Sequence, residues 1–434
     1  MICQDTYQLT YIVTSIGSLG MQVPSEHINI IIVNDFQDVN GGAGKVAVAE
    51  TVSLAKKGHS VTYFCAVDGT SRELVDAGVN VVSLHQSDIL NDLNRFRAVS
   101  QGLWNWEAAR EFEKLLEAYD RNRTIIHLHS WTKALSSSVV KMAVEKGFQV
   151  LCTMHDYFLA CPNGGFFDYN RSRICTVKPL SARCLVTDCD NRSYLQKCWR
   201  IARQLVQNHF GMVPKGMHHF IAVSNFSREI LKPYLPDKAI LYLIDNPVDV
   251  DKAPPTNISE NNLFIFVGRL TREKGCLLFA EAVRRIAAKS YFIGEGELRE
   301  PILQVAQDSS VTGWLQHDKL MEAMQTARAL VFPSLLYETQ GLVVREAMAC
   351  GIPVIVPDSS AARDMVIDGV TGFWFKGGDL SDLVKVMQMM SVQGVAERMG
   401  KAAYDIYWSS PFTIERHVGQ LELCYSSILS AMQK

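Results

Sequence analysis

Two kinds of hydrophobic spacing alternate along the chain. Short apolar runs, rich in β-branched residues, mark buried strands, and between them apolar positions recur at helical spacing. The first run is Ile28 to Val33. A polar loop, Asn34 to Asn40, leads to Gly41-Gly42-Ala43-Gly44 and a helical pattern from Lys45 to Lys57 that Gly58 stops. Strands are predicted at Val61–Val67, Val79–Leu84, Thr124–His129 and Gln149–Met154, with helices at Trp104–Tyr119 and Lys133–Lys146. Phe220–Val223 predicts another strand, and Ser224 caps the helix after it. The polar stretch 251–262, with two prolines, reads as a linker.

The alternation restarts at Leu263–Val267. A helix over Cys276–Ala288, a strand and turn at Phe292–Gly296, a short strand at Val311–Leu315 and a helix over Asp318–Ala327 follow. Ala329–Pro333 and Pro353–Val356 read as strands around a helix from Gly341 to Cys350, which Gly351 stops. Helices are predicted at Asp379–Met390, Ala396–Tyr407 and, amphipathic and long, Phe412–Met432. Strand and helix in turn define an α/β protein with parallel sheets, here in two Rossmann-like domains, 28–250 and 263–408.

Composition narrows the class. Hydrophobic residues make up 48% of 434 and charged residues 20%, which suits a globular protein with sizeable cores. A net charge of −2 gives no global case for nucleic acid. Eleven cysteines, an odd number spread over the pattern without a secretory signal before them, point to a reducing, cytoplasmic compartment. No Lys or Arg precedes Lys45, so residues 9–23 make a poor signal peptide. Residues 1–27 read as a disordered lead-in, with Met21 as an alternative start.

Candidate chemistry gathers at strand ends. Glu338 and Glu346 bracket the start of the Gly341 helix with seven residues between them. A helix start at the carboxyl ends of parallel strands favours phosphate. A carboxylate there would repel it, which assigns Glu338 to hydroxyls. Gly268-Arg269 and Lys274-Gly275 follow the strand Leu263–Val267, where two cations can clamp a diphosphate. Gly42-x-Gly44-x-x-Ala47, with Asp68 at the next strand end, formally matches a dinucleotide fingerprint, but the loop before it is longer than that turn allows. His155 and His129 sit at strand ends. The segment 157–203 breaks the rhythm: Cys161, Cys175, Cys184 and Cys189 could hold a structural zinc, without zinc-finger spacing, or remain buried thiols. From Arg171 to Arg203 eight Lys or Arg face two Asp, a surface suited to an anionic acceptor or an anionic membrane, or simply solvated.

Together these segments resemble the retaining glycosyltransferases of family 4. Glu338 to Glu346 matches that family's Glu-x7-Glu segment, followed by Glu-Ala-Met-Ala-x-Gly-x-Pro-Val; Thr153-Met154-His155, Arg269 with Lys274, and Asn246-Pro247-Val248-Asp249 match in order. The resemblance implies the GT-B fold, two Rossmann-like domains facing across a cleft. The N-terminal one would bind acceptor and the C-terminal one a nucleoside-diphosphate sugar, with helix 412–434 crossing back. It implies transfer of a hexosyl group to a hydroxyl of a glycan or lipid-linked acceptor, in surface polysaccharide or lipopolysaccharide assembly at the inner membrane face. His155, Arg269, Lys274 and Glu338 would be catalytic. Gly41, Gly42, Gly268, Thr339, Gln340, Gly341, Leu342, Val343 and Glu346 would complete the donor site, with His129 and Asn163 toward the acceptor. No metal or cofactor is then required. Where the family has Glu-x-Phe-Gly, Gln340 stands before Gly341. A sugar-nucleotide epimerase on the same fold, and an NAD-dependent oxidoreductase using the first glycine loop, are the rival activities.

Overall fold

A computed structural model describes residues 27–432. The expected lead-in and the start at Met21 fall outside the described residues except for His27. The chain forms two parallel sheets. The first takes β1 (Asn29–Val33), β2 (Ser60–Cys65), β3 (Asn80–Ser83), β4 (Thr124–Leu128) and β5 (Gln149–Met154). A small hairpin, β6 (Phe167–Asp168) and β7 (Arg173–Ile174), stands apart before β8 (His219–Ala222) and β9 (Ile240–Leu243) complete it. The second takes β10 (Leu263–Val267), β11 (Lys289–Ile293), β12 (Ser310–Val311), β13 (Ala327–Val331), β14 (Val354–Pro357) and β15 (Gly372–Phe375).

The orders are β3-β2-β1-β4-β5-β8-β9 and β12-β11-β10-β13-β14-β15. Each reverses once, between β1 and β4 and between β10 and β13. In open parallel sheets a crevice forms beyond the strand carboxyl ends at that point. The segments after these four strands therefore decide the site.

β1 shows why its sequence reads as one apolar run. Ile31 and Val33 pack with Phe64 and Phe112 on one face. Ile30 and Ile32 pack on the other with Val418, Leu421, Tyr425 and Ile428 of the last helix, Ile414–Met432. That helix follows the second sheet in sequence and covers the first.

Three expectations are corrected. The helix over 104–119 is shorter, Trp106–Leu116, and a helix the spacing did not predict, Arg95–Leu103, precedes it; Trp104 between them is extended, and the Asn105 side chain caps the second by accepting from Ala108 N at 3.0 Å. The helix over 133–146 begins only after Ser137, since the buried Asp35 carboxylate accepts from Lys133, Ala134 and Leu135 N–H and holds them in a turn. The cysteine-rich insert is ordered by helices Ala182–Val186 and Tyr194–His209. Among the described residues its thiols form no ligand group for a zinc ion. The buried Lys197 ammonium lies 3.0 Å from Cys189 Sγ and 3.7 Å from Cys184 Sγ, filling with a fixed cation the place an ion would take. All ten described cysteines are free.

Candidate active site

The second sheet brings its cations and carboxylate together through one glycine. Gly275 has φ +72°, and a Cβ there would lie 1.9 Å from Pro333 O. Only glycine lets the segment after β10 lie this close to the segment after β13. Lys274 Nζ is thereby 2.7 Å from Glu338 Oε1, which also accepts from Ser334 Oγ at 2.6 Å. Arg269 is 68% exposed, its guanidinium 3.5 Å from Glu273. Gly341 starts the helix Leu342–Ala349 with no side-chain cap, so the N–H groups of Leu342 and Val343 are available at a positive helix end. Glu346, on the same helix, lines a cavity of about 960 Å³ with Lys45 and Leu342. Burial raises its pKa against the pull of Lys45 and His317.

The first sheet meets this loop directly. Gly41, φ +88°, starts the helix Gly42–Lys56, also without a side-chain cap. A Cβ on Gly42 would lie 3.8 Å from Leu342 Cδ1, so the two uncapped helix starts approach each other. Thr339 Oγ1 donates to His155 O at 2.9 Å, and Thr339 O accepts from Ser224 Oγ at 2.7 Å. Beside them, both amide atoms of Gln340 are buried without a protein partner. Gly268 (φ 153°) follows β10 and leads into Arg269.

Behind His155 lies a residue the sequence did not reveal. Glu50 is buried on the helix Gly42–Lys56 and faces three imidazoles. Its Oε1 is 2.6 Å from His129 Nε2 and 3.2 Å from His127 Nδ1; its Oε2 bonds to His417 Nε2 at 3.1 Å. Burial pushes the Glu50 pKa up, but His129 and His127 outweigh it and hold the carboxyl well below its usual range. His129 Nδ1 is 2.9 Å from His155 Nε2. Burial, reinforced by His129, lowers the His155 pKa and keeps that imidazole neutral.

Among the described residues Glu50, His127 and His129 are the one group close enough to share a metal. His127 already has Tyr425 OH at 2.8 Å and Thr153 Oγ1 at 2.7 Å on its two nitrogens, which makes it a hydrogen-bonding hub. His129 is 2% exposed and reaches the cleft only through His155, so it does not itself line an acceptor site. Asn163 is also buried: its Nδ2 donates to Cys189 O at 2.8 Å and ties the insert together. The signal for Glu50 was a lone carboxylate on the buried face defined by Val46, Ala47, Thr51 and Leu54, opposite a His-x-His strand.

Comparison with known proteins gives first the architecture and then the family. The sucrose-phosphate synthase of Thermosynechococcus elongatus superposes with a TM-score of 0.67 at 17% identity, over 93% of this chain and 100% of that one. Anabaena Alr3699/HepE in complex with UDP gives 0.63 at 16%, over 92% and 100%. At such identity the likeness is one of fold, the GT-B arrangement. The sequence goes further: the descriptions "Glycosyltransferase Family 4" and "Glycosyl transferases group 1" match residues 40–252 and 261–391. The chain belongs to this family of glycosyltransferases. The sulfoquinovosyl transferase SQD2 of Arabidopsis thaliana is 36% identical over 151 residues, 33% of this chain and 29% of that one, so the match spans under a third of that relative's length.

Proposed function

We propose that the protein transfers a glycosyl group from a nucleoside-diphosphate sugar to a hydroxyl, with retention at the anomeric carbon. The observation that carries the reading is the meeting of Lys274, Glu338 and the Gly341–Leu342 helix start, at the switch point of the second sheet, with His155 at the carboxyl end of β5. Departure of the nucleoside diphosphate builds negative charge on its phosphates. Lys274, Arg269 and the free N–H groups of Leu342 and Val343 would stabilise that charge through fixed donors. Glu338 and Gln340 would take donor-sugar hydroxyls, and Glu346 the ribose. His155, neutral, would contact the sugar from the opposite domain. The leaving phosphate would accept the acceptor's proton, as the family resemblance suggests.

UDP in the Anabaena complex supports a uridine nucleotide as the first donor to test. The acceptor would be a glycan or a lipid-linked one, reached from the cytoplasmic face of the membrane in surface polysaccharide assembly. Among the described residues no helix is long and apolar enough to cross a membrane.

The test is thermal unfolding with UDP, GDP, ADP and NAD, with Glu346→Ala alongside. A ligand at 100 times its Kd adds about 2.7 kcal/mol of stability. One nucleoside diphosphate should stabilise the wild type and not the variant. Stabilisation by NAD alone would overturn the reading and move attention to the first glycine loop.

A further inference from the structure

The basic insert contains a feature that the donor site does not use. On the helix Tyr194–His209, Leu195, Trp199 and Arg203 recur every four residues and share one face. That face, the helix Arg95–Leu103 and the segments after β4 and β5 enclose a cavity of about 560 Å³. Five cations line it, Arg95, Lys133, Arg192, Arg200 and Arg203, and no carboxylate does.

Two of the five are committed elsewhere. Arg200 pairs with the buried Asp190 at 2.8 Å, and Arg95 donates to the carbonyls of Ile89, Leu90 and Asp92. Among the described residues Lys133, Arg192 and Arg203 have no carboxylate at ion-pair distance. Arg203 is only 7% exposed. Its guanidinium lies 4.7 Å from the Phe158 ring centre and 5.2 Å from that of Trp199, and donates to Thr132 O at 3.1 Å. Burial, then the like charge of Arg200, pushes its pKa down to about 10, which leaves it charged at neutral pH.

Asp156, Asp35 and Asp190 act on Arg203 through space, but none of them forms an ion pair with it. Asp35 is engaged by three N–H groups, Asp190 by Arg200, and Asp156 accepts from Phe158 N while burial raises it to about 6. The guanidinium also donates to Pro162 O at 3.4 Å; with two carbonyls, two rings and no carboxylate in contact, it keeps donors for an anion entering the cavity.

The surroundings define the rest of the ligand. Leu90, Val99 and Leu195 form one apolar part of the wall. Leu93 and Phe96, on or beside the Arg95–Leu103 helix, are 100% and 91% exposed. Thr132 and Lys133 follow β4 and Phe158 follows β5, so the cavity opens at the same strand ends as His129 and His155. We infer that this cavity binds the phosphate or diphosphate of an amphiphile, with the apolar chain along Leu90, Val99 and Leu195. That the amphiphile is the sugar acceptor rests on the transferase reading above; the anion site does not.

The test measures binding of monomeric dodecyl phosphate, inorganic pyrophosphate, uncharged dodecyl maltoside and phosphatidylglycerol vesicles, all with the nucleoside diphosphate saturating. The variant is Lys133→Ala/Arg192→Ala, both exposed positions outside the donor site. Dodecyl phosphate should bind the wild type more tightly than pyrophosphate does. The double variant should lose about tenfold or more in dodecyl phosphate affinity, as expected for lost charged hydrogen bonds, and keep its stabilisation by nucleotide. Equal binding by variant and wild type, equal binding of the maltoside, or binding to phosphatidylglycerol vesicles alone would each overturn the site, the last in favour of a membrane surface. Should no nucleotide stabilise the protein while the variant still loses dodecyl phosphate, the transferase reading fails and the anion site stands.

Discussion

Replacing Glu50 by glutamine tests the buried centre behind His155. The side chain keeps its volume, so no cavity opens, and only the charge is removed. His417, His129 and His127 approach its oxygens at 3.1, 2.6 and 3.2 Å. Loss of one charge-assisted bond of this kind is worth about 1.5–3 kcal/mol. For a domain of this size that lowers Tm by roughly 3–12 °C. The pH dependence follows from the sign of the shift. The folded pKa lies below the unfolded value of 4.5, so the carboxylate's contribution is complete above 4.5 and fades as pH falls through the folded pKa. The Tm gap between wild type and Glu50→Gln should therefore hold from neutral pH down to about pH 5 and close below the unfolded pKa. Scanning calorimetry over that range, with transfer activity in parallel, is the assay. Activity should fall as well, since His129 holds His155. A variant that melts with the wild type at pH 7 would refute the account.

Gly275→Ala should destabilise the protein by about 2–3 kcal/mol, because it adds left-handed strain to a collision with Pro333 O; an unchanged denaturant midpoint would show that the β10 and β13 segments can part. Gln340→Phe should raise Tm, since an unpartnered buried amide costs about 1–3 kcal/mol, and should raise KM for the donor; an unchanged KM would remove Gln340 from the sugar site.

The sequence was most readable where both faces of a strand are buried. Ile30 to Val33 and Phe264 to Phe266 give unbroken apolar runs because helices cover each side. Two of the four edge strands went unread: β9 and β15 are short apolar runs, Ile240–Leu243 and Phe373–Phe375, with no helical pattern or turn signal that separates a strand from a buried loop, and both are part-exposed at Ile240 and Trp374. The site divided in the same way. Lys274 and Glu338 belong to local segments with recognisable spacing. Glu50 and His417 are 367 residues apart, and no local pattern announces such a contact. His129 sits at a strand end like a cleft residue, yet its side chain turns inward because the helix Gly42–Lys56 offers it a carboxylate. The insert's helix Tyr194–His209 carries a four-residue spacing that its basic composition masked, and its cavity needs the helix Arg95–Leu103, which the sequence did not predict.

A carboxylate beside a phosphate site looks self-defeating, and the geometry answers the objection. Oε1 of Glu338 is taken by Lys274 and Ser334, while among the described residues Oε2 has no protein partner. The pair is close to neutral, so a diphosphate nearby meets little repulsion, and the free oxygen can accept a sugar hydroxyl. The uncapped helix start then supplies positive charge without a counter-ion, and Arg269, 68% exposed and 3.5 Å from Glu273, is free to turn toward the phosphates. Glu338→Gln should consequently release Lys274 to the diphosphate. Affinity for the nucleoside diphosphate should rise by roughly fivefold, about 1 kcal/mol for a half-buried pair, and kcat should drop as the sugar loses its anchor. Titration calorimetry with the nucleotide and initial rates with the sugar donor separate the two effects. If nucleotide affinity fell instead, Glu338 would be holding the nucleotide itself, and the neutral-pair argument would be wrong.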